Sequence, residues 1–464
     1  MRGLTLIVGL TAALTLAGAS PASSVTPLQK AALKALSHAR ATGRIDEATA
    51  AAARTEVNRA AFLARTLPGG RREHVLVPLD ELTSFAGLLT QPRTLTLTGE
   101  LKANNAYFAK HYAPAPKTDI TDADGIVYRY FAGRCFEFHP LANFGALNAR
   151  ANAGDIEGTR RLADALIARG VYEHSGGIGW EYTFPFSGGR APWLSGMAQA
   201  VAAQAFARAA GLVPDESTSL MGKARAAYQT IPGRLLTSVA AGPWIRLYSF
   251  TSLTVLNAQL QAVISLQTYA VTAEDNDAAA LAARMQRAAA ATLPRFDTGY
   301  WSYYALPHDP SPLDYHDYVV QLLKQLSSTD KRFADAAVRF AGYEKQPPAI
   351  QLAPSALGAL TFWVSKPSTV SVVTAAGRPR RVSVDGGWHT FAFGEPKRAG
   401  TYGVRGTATD ASGNHTSFEA LPFVRASSTV KAPASRAAAG VATIPTAPAF
   451  YVGAALDEIG RAHV

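Results

Sequence analysis

The chain has 464 residues, of which 48% are apolar and 17% are charged, a composition that excludes a disordered or fibrous protein and allows two or more globular domains. Its single cysteine, Cys135, excludes an internal disulfide and any zinc site that needs two thiolates. The formal net charge of +11 favours an anionic partner, but charge alone does not choose between nucleic acid, anionic lipid and acidic polysaccharide.

The N-terminus predicts a secretory signal peptide over residues 1–19. Arg2 is followed by an apolar run from Leu4 to Leu16 and then by Ala17-Gly18-Ala19, a small-residue cleavage signal. The run is too short for a stable membrane span. Export, to the cell envelope or beyond it, argues against nucleic acid and leaves an acidic glycan as the expected partner.

Two helical regions are predicted after the signal peptide. Residues 25–120 form the first, with a polar helical stretch over 28–66. In residues 121–346, amphipathic helices alternate with loops rich in glycine, proline and aromatic residues, which predicts paired helices in an (α/α) barrel with its chemistry in the loops. Within this second region, helices are predicted over 155–169, 195–210, 255–270, 277–292 and 318–326.

Three loops of the second region concentrate aromatic side chains, at residues 172–193, 242–250 and 296–306. Tryptophan and tyrosine rings suit the C–H faces of sugars, and the guanidinium groups of Arg190 and Arg246 suit a carboxylate on the sugar. Any one of these aromatics could instead cover a helix end, but together they indicate a carbohydrate cleft. The tryptophans expected to bind sugar are Trp180, Trp193 and Trp244.

The sequence becomes β-rich after Pro347-Pro348. Short strands rich in valine, threonine and aromatic residues alternate with glycine turns, which predicts a small all-β immunoglobulin-like sandwich over residues 355–426. Residues 427–464 are interpreted as a linker followed by a truncated tail. The predicted strands are 360–364, 370–374, 381–384, 389–393 and 402–409.

Common catalytic motifs are absent from the sequence. It contains no GxGxxG after a strand, no phosphate-binding GxxxxGK[ST], no HExxH and no GxSxG. His308 and His316 are close in sequence, but nothing supplies a third ligand at helical spacing, so neither a metal nor a cofactor is expected. Cys135 is interpreted as a small buried apolar residue rather than a nucleophile.

Several blocks of sequence resemble the C-terminal catalytic domain of D-glucuronyl C5-epimerases. They occur in the order of that family and span residues 130–345. The blocks are FEFHPLANFGALNA (136–149), SGMAQA (195–200), VLNA (255–258), LPRFDTG (293–299) and LDYH (313–316), together with Trp244 and Tyr248.

The resemblance implies an enzyme that inverts C5 of glucuronate within a heparosan-type polymer to give iduronate, without a cofactor. Removal of the C5 proton places negative charge on the carboxylate oxygens, and cations stabilise that charge. Epimerisation then needs a base on one face of the ring and an acid on the other, and phenols beside cations can serve as both. The family's tyrosines match Tyr248, Tyr304 and Tyr315, with His316 beside them as a substrate-binding candidate. A homodimer is compatible with these features.

This sequence departs from the family at two places. Arg246 and Leu247 stand where the family has two carboxylates, and Pro307 stands where it has an arginine. Three alternatives therefore remain open. A uronate lyase would share the first proton removal, a glycoside hydrolase would use loop carboxylates, and a catalytically inactive protein would only bind the acidic glycan. The loop carboxylates available to a hydrolase are Glu173, Glu181 and Asp314.

Overall fold

The computed structural model describes residues 21–173, 175–355, 358–374, 379–393 and 398–425. The predicted signal peptide and the predicted linker and tail lie outside the described residues. Two compact units divide the described chain, and their limits are residues 21–118 with 130–136, and residues 119–129 with 137–425. The domain boundaries expected from the sequence stay a prediction.

The first unit is built from four α-helices. The helical stretch predicted over 28–66 is two helices, because Gly43 has a φ of 70° and turns the chain. The second of these helices begins where Asp46 accepts a hydrogen bond from the Thr49 amide at 2.7 Å. The helices are α1 (Pro21–Ala41), α2 (Glu47–Thr66), α3 (Gly69–Ser84) and α4 (Gln91–Phe108).

Short antiparallel strands and further helices alternate along residues 119–343. The short strands are β1 (Asp119–Thr121), β2 (Val127–Tyr130), β3 (Phe136–Phe138), β4 (Val171–Tyr172), β5 (Ile178–Gly179), β6 (Leu236–Val239), β7 (Gly242–Ile245), β8 (Thr254–Val255), β9 (Tyr303–Leu306) and β10 (Asp309–Pro310). The helices are α5 (Pro140–Asn152), α6 (Ile156–Arg169), α7 (Gly196–Leu212), α8 (Ser217–Arg234), α9 (Leu256–Ala273), α10 (Asn276–Thr292), α11 (Leu313–Leu326) and α12 (Lys331–Tyr343).

The helices α5 to α12 pack in two layers. Helices α5, α7, α9 and α11 form a row in which each packs against the next, and α6, α8, α10 and α12 each pack against the helix that precedes them. Nearly all of α7 is buried, as expected for a helix of the inner layer. This arrangement is mainly helical and layered, whereas closure into a barrel stays a prediction. In the part of the chain that the structure describes, no helix combines the length and apolarity needed to cross a bilayer.

The predicted helix starts at Asp155 and Ser195 are confirmed. Asp155 accepts a hydrogen bond from the Gly158 amide at 2.9 Å, and Ser195 accepts one from the Ala198 amide at 3.3 Å. The three long loops differ from the prediction because each contains strands: β4 pairs with β5, β6 with β7, and β9 with both β8 and β10. These short hairpins give the aromatic residues fixed positions.

The C-terminal part of the second unit contains two antiparallel sheets with strand orders β11-β12-β15 and β14-β13-β16-β17. The inward residues of both sheets form one apolar core that includes Phe362 and Val404. All five predicted strands are present within two residues of their predicted ends, and β11 and β17 are additional. The strands are β11 (Ile350–Ala353), β12 (Ala359–Val364), β13 (Ser368–Thr374), β14 (Arg380–Val384), β15 (Gly387–Ala392), β16 (Gly400–Asp410) and β17 (His415–Arg425).

Lys366 joins the helices to the two sheets. Its side chain is 2% exposed, and its Nζ lies 2.7 Å from the Asp410 carboxylate. The same ammonium donates to the carbonyl of Tyr343 at 2.7 Å and to that of Gln346, at the end of α12. It also lies 5.4 Å from the centre of the Trp301 ring. One buried cation therefore contacts the helical layer, an aromatic loop and the last strands.

Replacing Lys366 with methionine is expected to lower the free energy of unfolding by about 3–5 kcal/mol, because the Asp410 carboxylate would remain buried without its counter-ion. The free energy is measured by urea denaturation of the full chain. Lys331→Met is the matched control, since Lys331 forms an exposed ion pair with Asp335 and such pairs contribute about 0–1 kcal/mol. Equal losses in the free energy of unfolding for Lys366→Met and Lys331→Met would contradict the stabilising role assigned to the buried Lys366–Asp410 pair.

Candidate active site

The structure brings two of the three predicted catalytic tyrosines into contact. Tyr304 lies on β9 and Tyr315 lies in the first turn of α11, and their ring centres are 4.7 Å apart. Tyr304 is 3% exposed and Tyr315 is 1% exposed. The LDYH motif is therefore the start of α11, five residues before the start predicted at residue 318. The first turn of this helix places Tyr315 against β9.

Tyr248 lies in the loop between β7 and β8. Strand β8 pairs with β9, with Val255 opposite Ala305, so the segment that carries Tyr248 adjoins the strand that carries Tyr304. The loop itself is a turn in which the Thr251 amide donates to the Tyr248 carbonyl at 3.1 Å. Tyr248 is 1% exposed.

An aromatic hairpin, residues 182–193, lies against Tyr248. Tyr182 and Trp193 form its base, where their rings stack at 4.0 Å and are nearly parallel. Its tip is a two-residue turn with positive φ angles of 45° at Ser187 and 82° at Gly188, as the tightest hairpin turns require. Burial raises the pKa of Tyr182, so this phenol stays neutral and acts as a packing residue.

Aromatic rings cover Tyr248. The Trp193 ring meets it edge-on at 5.4 Å, and the Phe250 ring stacks on it at 5.6 Å while remaining 37% exposed. Gly189 lies directly on Phe250, because a Cβ at this glycine would be 2.4 Å from the Phe250 ring. A sugar that approached Tyr248 from the hairpin side would therefore have to displace Phe250.

Two of the predicted sugar-binding tryptophans are packed inside the helical layers. The Trp180 indole donates to the Leu166 carbonyl at 2.7 Å, and the Trp244 indole donates to the Val255 carbonyl at 3.2 Å. Both side chains are at most 1% exposed. Their assignment to substrate stays a prediction, and their burial gives it no support. Trp193 is also buried, but it contacts Tyr248 and so belongs to the cover of the site.

The two predicted carboxylate-binding arginines have different surroundings. Arg190 is exposed near the tip of the aromatic hairpin, and it has no ion-pair or hydrogen-bond partner among the described residues. Arg246 donates to the backbone carbonyls of Leu236 at 3.1 Å and Thr251 at 3.2 Å. Arg190 is thus available to an anionic ligand, whereas Arg246 connects the Tyr248 loop to β6.

His316 is a packing residue in this structure. One ring nitrogen lies 2.7 Å from the Ser302 hydroxyl and the other 2.9 Å from the Phe340 carbonyl, so neither is open to a metal or a sugar. The ring stacks on Trp301 at 3.8 Å. Burial lowers the pKa of His316 to about 4. Its substrate-binding role stays a prediction without support from this geometry.

Asn257 is a candidate site residue that the sequence motifs do not single out. Asn257 follows Val255 by two residues, is fully buried, and has no hydrogen-bond partner for its Oδ1 or Nδ2 among the described residues. A buried amide without partners costs free energy unless a ligand satisfies it. The sequence signal that could have identified Asn257 is its position in the VLNA block (255–258), one of the blocks that carry the family resemblance.

The loop carboxylates have partners of different kinds. The Glu173 carboxylate forms an ion pair with the guanidinium of Arg234. The Asp314 carboxylate accepts a hydrogen bond from the Tyr315 amide at 3.1 Å, and burial raises the pKa of Asp314. Asp314 therefore places a carboxylate directly beside a predicted catalytic tyrosine.

The site belongs to a largely helical unit in which Tyr248 lies beneath an aromatic hairpin and the rings of Tyr304 and Tyr315 are in contact. Residues 174–341 of that unit match the family model described as D-glucuronyl C5-epimerase C-terminus. This match contains all three tyrosines and confirms the resemblance inferred from the sequence blocks over these residues. A comparison with curated proteins found no match.

The stability of the protein is expected to fall by about 3 kcal/mol between pH 7.5 and pH 4 on account of His316 alone. The ordinary pKa of histidine is 6.5, and burial lowers that of His316 to about 4, so the unfolded state binds the proton first as the pH falls. Urea denaturation at several pH values should therefore give a shallower pH dependence for His316→Gln than for the wild type. His38→Gln, at an exposed position, controls for the chemical change. The prediction would be contradicted if the free energy of unfolding varied with pH in the same way for the wild type and His316→Gln.

Proposed function

We propose that this protein is an exported enzyme that epimerises glucuronate at C5 within a heparosan-type polysaccharide. The family match over residues 174–341 carries the proposal, because it contains Tyr248, Tyr304 and Tyr315. The contact between the Tyr304 and Tyr315 rings supports it, since two phenols can then face one sugar. Export rests on the predicted signal peptide.

The proposed reaction moves one proton off C5 and another onto it. One phenolate removes the C5 proton, and the electron pair of the broken C–H bond passes to the carboxylate, whose oxygens carry the charge. A phenol on the opposite face then gives its proton to C5 and inverts the centre. Tyr248 and Tyr315 are proposed for the two faces, with Tyr304 in support. Arg190 is proposed to pair with the sugar carboxylate, because its guanidinium contacts no hydrogen-bond or ion-pair partner in the part of the chain that the structure describes.

Opening of the cover is part of the proposal. All three tyrosines are at most 3% exposed, so a polymer reaches them only after protein groups move. Phe250 and the aromatic hairpin are the proposed moving parts, since Phe250 is the exposed ring that stacks on Tyr248 and Gly189 of the hairpin lies against Phe250. Closure after binding would exclude water from the carbanion-like state.

The architecture proposed for this function is an (α/α) toroid followed by an immunoglobulin-like sandwich. The inner and outer rows formed by α5 to α12 support the toroid. The strand orders β11-β12-β15 and β14-β13-β16-β17, around a shared core, support the sandwich. The proposed boundaries remain residues 121–346 and 355–426.

A second candidate is a glycan-binding protein without catalysis. Arg246 and Leu247 stand where the family has carboxylates; Leu247 is fully buried, and Arg246 is bonded to backbone carbonyls. Neither residue can accept a proton in place of a carboxylate. Asp314 is a carboxylate beside the predicted tyrosine Tyr315, and it is the group proposed to take over any role of the missing acids.

Tyr248→Phe and Tyr315→Phe are each expected to lower hydrogen exchange at C5 about 100-fold or more, because each removes a proton-transfer group. The wild type and the variants are incubated with heparosan, alginate and hyaluronan in deuterated water, and C5 labelling is followed in proton spectra. Tyr303→Phe is the matched control, since it removes the hydroxyl of the residue directly before Tyr304.

Other outcomes of this experiment identify the alternatives. Unchanged exchange in both tyrosine variants overturns the assignment of the residues. Unsaturated uronate with shortened chains indicates a lyase, and new reducing ends without unsaturation indicate a hydrolase. Binding of acidic glycan by the wild type without any exchange favours the non-catalytic protein.

Arg190→Ala is expected to raise the KM for the polymer about tenfold, because a charge-assisted hydrogen bond to the sugar carboxylate is lost. Arg190→Lys should recover only part of this loss, since an ammonium cannot pair with both carboxylate oxygens. Arg405→Ala, which removes a highly exposed arginine from β16, is the control. A KM for Arg190→Ala equal to that of the control would exclude Arg190 from the site.

A further inference from the structure

The outer face of the three-stranded sheet carries two tryptophans side by side. Trp363 on β12 lies opposite Trp388 on β15 in the strand register, so both indoles are on the same face. Trp388 is 57% exposed, and Trp363 is partly exposed. Neither is needed for the apolar core, which is formed by the alternate residues of these strands. The core of the two sheets therefore does not account for these two large outward-facing rings.

The residues around these tryptophans are small or polar. Gln351 lies opposite Trp363 on the third strand, and in the adjacent row the hydroxyls of Thr361 and Thr390 lie 3.1 Å apart. Apart from the two indoles, the face lacks large apolar side chains among its described residues. The remaining residues of the face are Ala353, Ala359 and Ala392. The face is thus flat, aromatic and hydroxyl-rich.

Tyr300 extends this aromatic surface beyond the sheet. It is 43% exposed, and its ring lies 5.6 Å from the Trp363 ring. The loop that holds it is fixed, because the Asp297 carboxylate accepts hydrogen bonds from the Gly299 amide at 2.9 Å and the Tyr343 hydroxyl at 2.8 Å. Tyr300 precedes Tyr304 by four residues, so this surface is continuous along the chain with the predicted catalytic strand.

We propose that Tyr300, Trp363 and Trp388 form an aromatic platform that binds a uronate polysaccharide outside the catalytic site. The polymer is the one proposed above as substrate, and the inference rests on that function for its identity. Flat indole faces flanked by the hydroxyls of Thr361 and Thr390 suit the C–H faces and hydroxyls of pyranose rings. The net charge of +11 favours a polyanion over a neutral glycan.

The platform is tested by polymer affinity rather than by turnover. Binding of size-fractionated heparosan to the full chain is measured by calorimetry for the wild type and for Trp388→Ala combined with Tyr300→Ala. The combined variant is expected to bind about tenfold more weakly, as removal of aromatic anchors does at other binding faces. Tyr112→Ala, which removes a tyrosine that is 62% exposed in the first unit, is the matched control. Trp388→Phe should recover much of the affinity, because it keeps an aromatic face.

The outcomes separate this inference from the proposed function. Weaker heparosan binding in the combined variant, with unfolding curves like those of the wild type, supports the platform even if no C5 exchange is ever found. Unchanged binding overturns the platform even if the wild type is an active epimerase. Equally weakened binding of a neutral glucan such as cellohexaose overturns the assignment to uronates. If the wild type sediments as a dimer and the combined variant as a monomer, a second copy of the chain covers this face. That result also overturns the platform.

Discussion

The buried ammonium of Lys366 is the interaction on which the arrangement of the second unit depends. It pairs with Asp410 of the sheets, bonds to the last carbonyls of α12 and lies over Trp301. Trp301 in turn stacks on His316, in the same turn of α11 as Tyr315. A charge placed in such a dry position is costly unless every contact is kept, so the sheets, α12 and the aromatic loop are held in one geometry.

Much of the secondary structure is predictable from local signals. The caps at Asp155 and Ser195 and the five central strands of the sheets follow from side-chain chemistry and alternation. The helices α3 and α4 do not, because their apolar residues show little amphipathic periodicity, and α3 contains Pro78 within the helix. The short hairpins in the long loops also escape prediction, since two-residue strands such as β8 depend on partners far away in sequence.

The sequence predicts which tyrosines belong to the candidate site better than it predicts the burial and the contacts of the site residues. Motif order located Tyr304 and Tyr315, and the structure places their rings in contact. Sequence cannot distinguish an aromatic ring that receives a sugar from one that fills a core, which is why Trp180, Trp244 and His316 were assigned to substrate although they are buried. An unsatisfied amide such as that of Asn257 is recognised only once its neighbours are known.

The burial of Tyr315 beneath its neighbours has a consequence for the hydrogen that the proposed reaction would take from the sugar. A hydroxyl shielded from bulk water exchanges its proton slowly, so a phenol that has just accepted hydrogen from carbon keeps that same nucleus for a time. It can hand the nucleus back to the carbon before solvent replaces it. Internal return of this kind restores the original configuration at C5, so it would make some proton abstractions invisible to an isotope in the medium. A tightly covered site would conceal more of them than an open one.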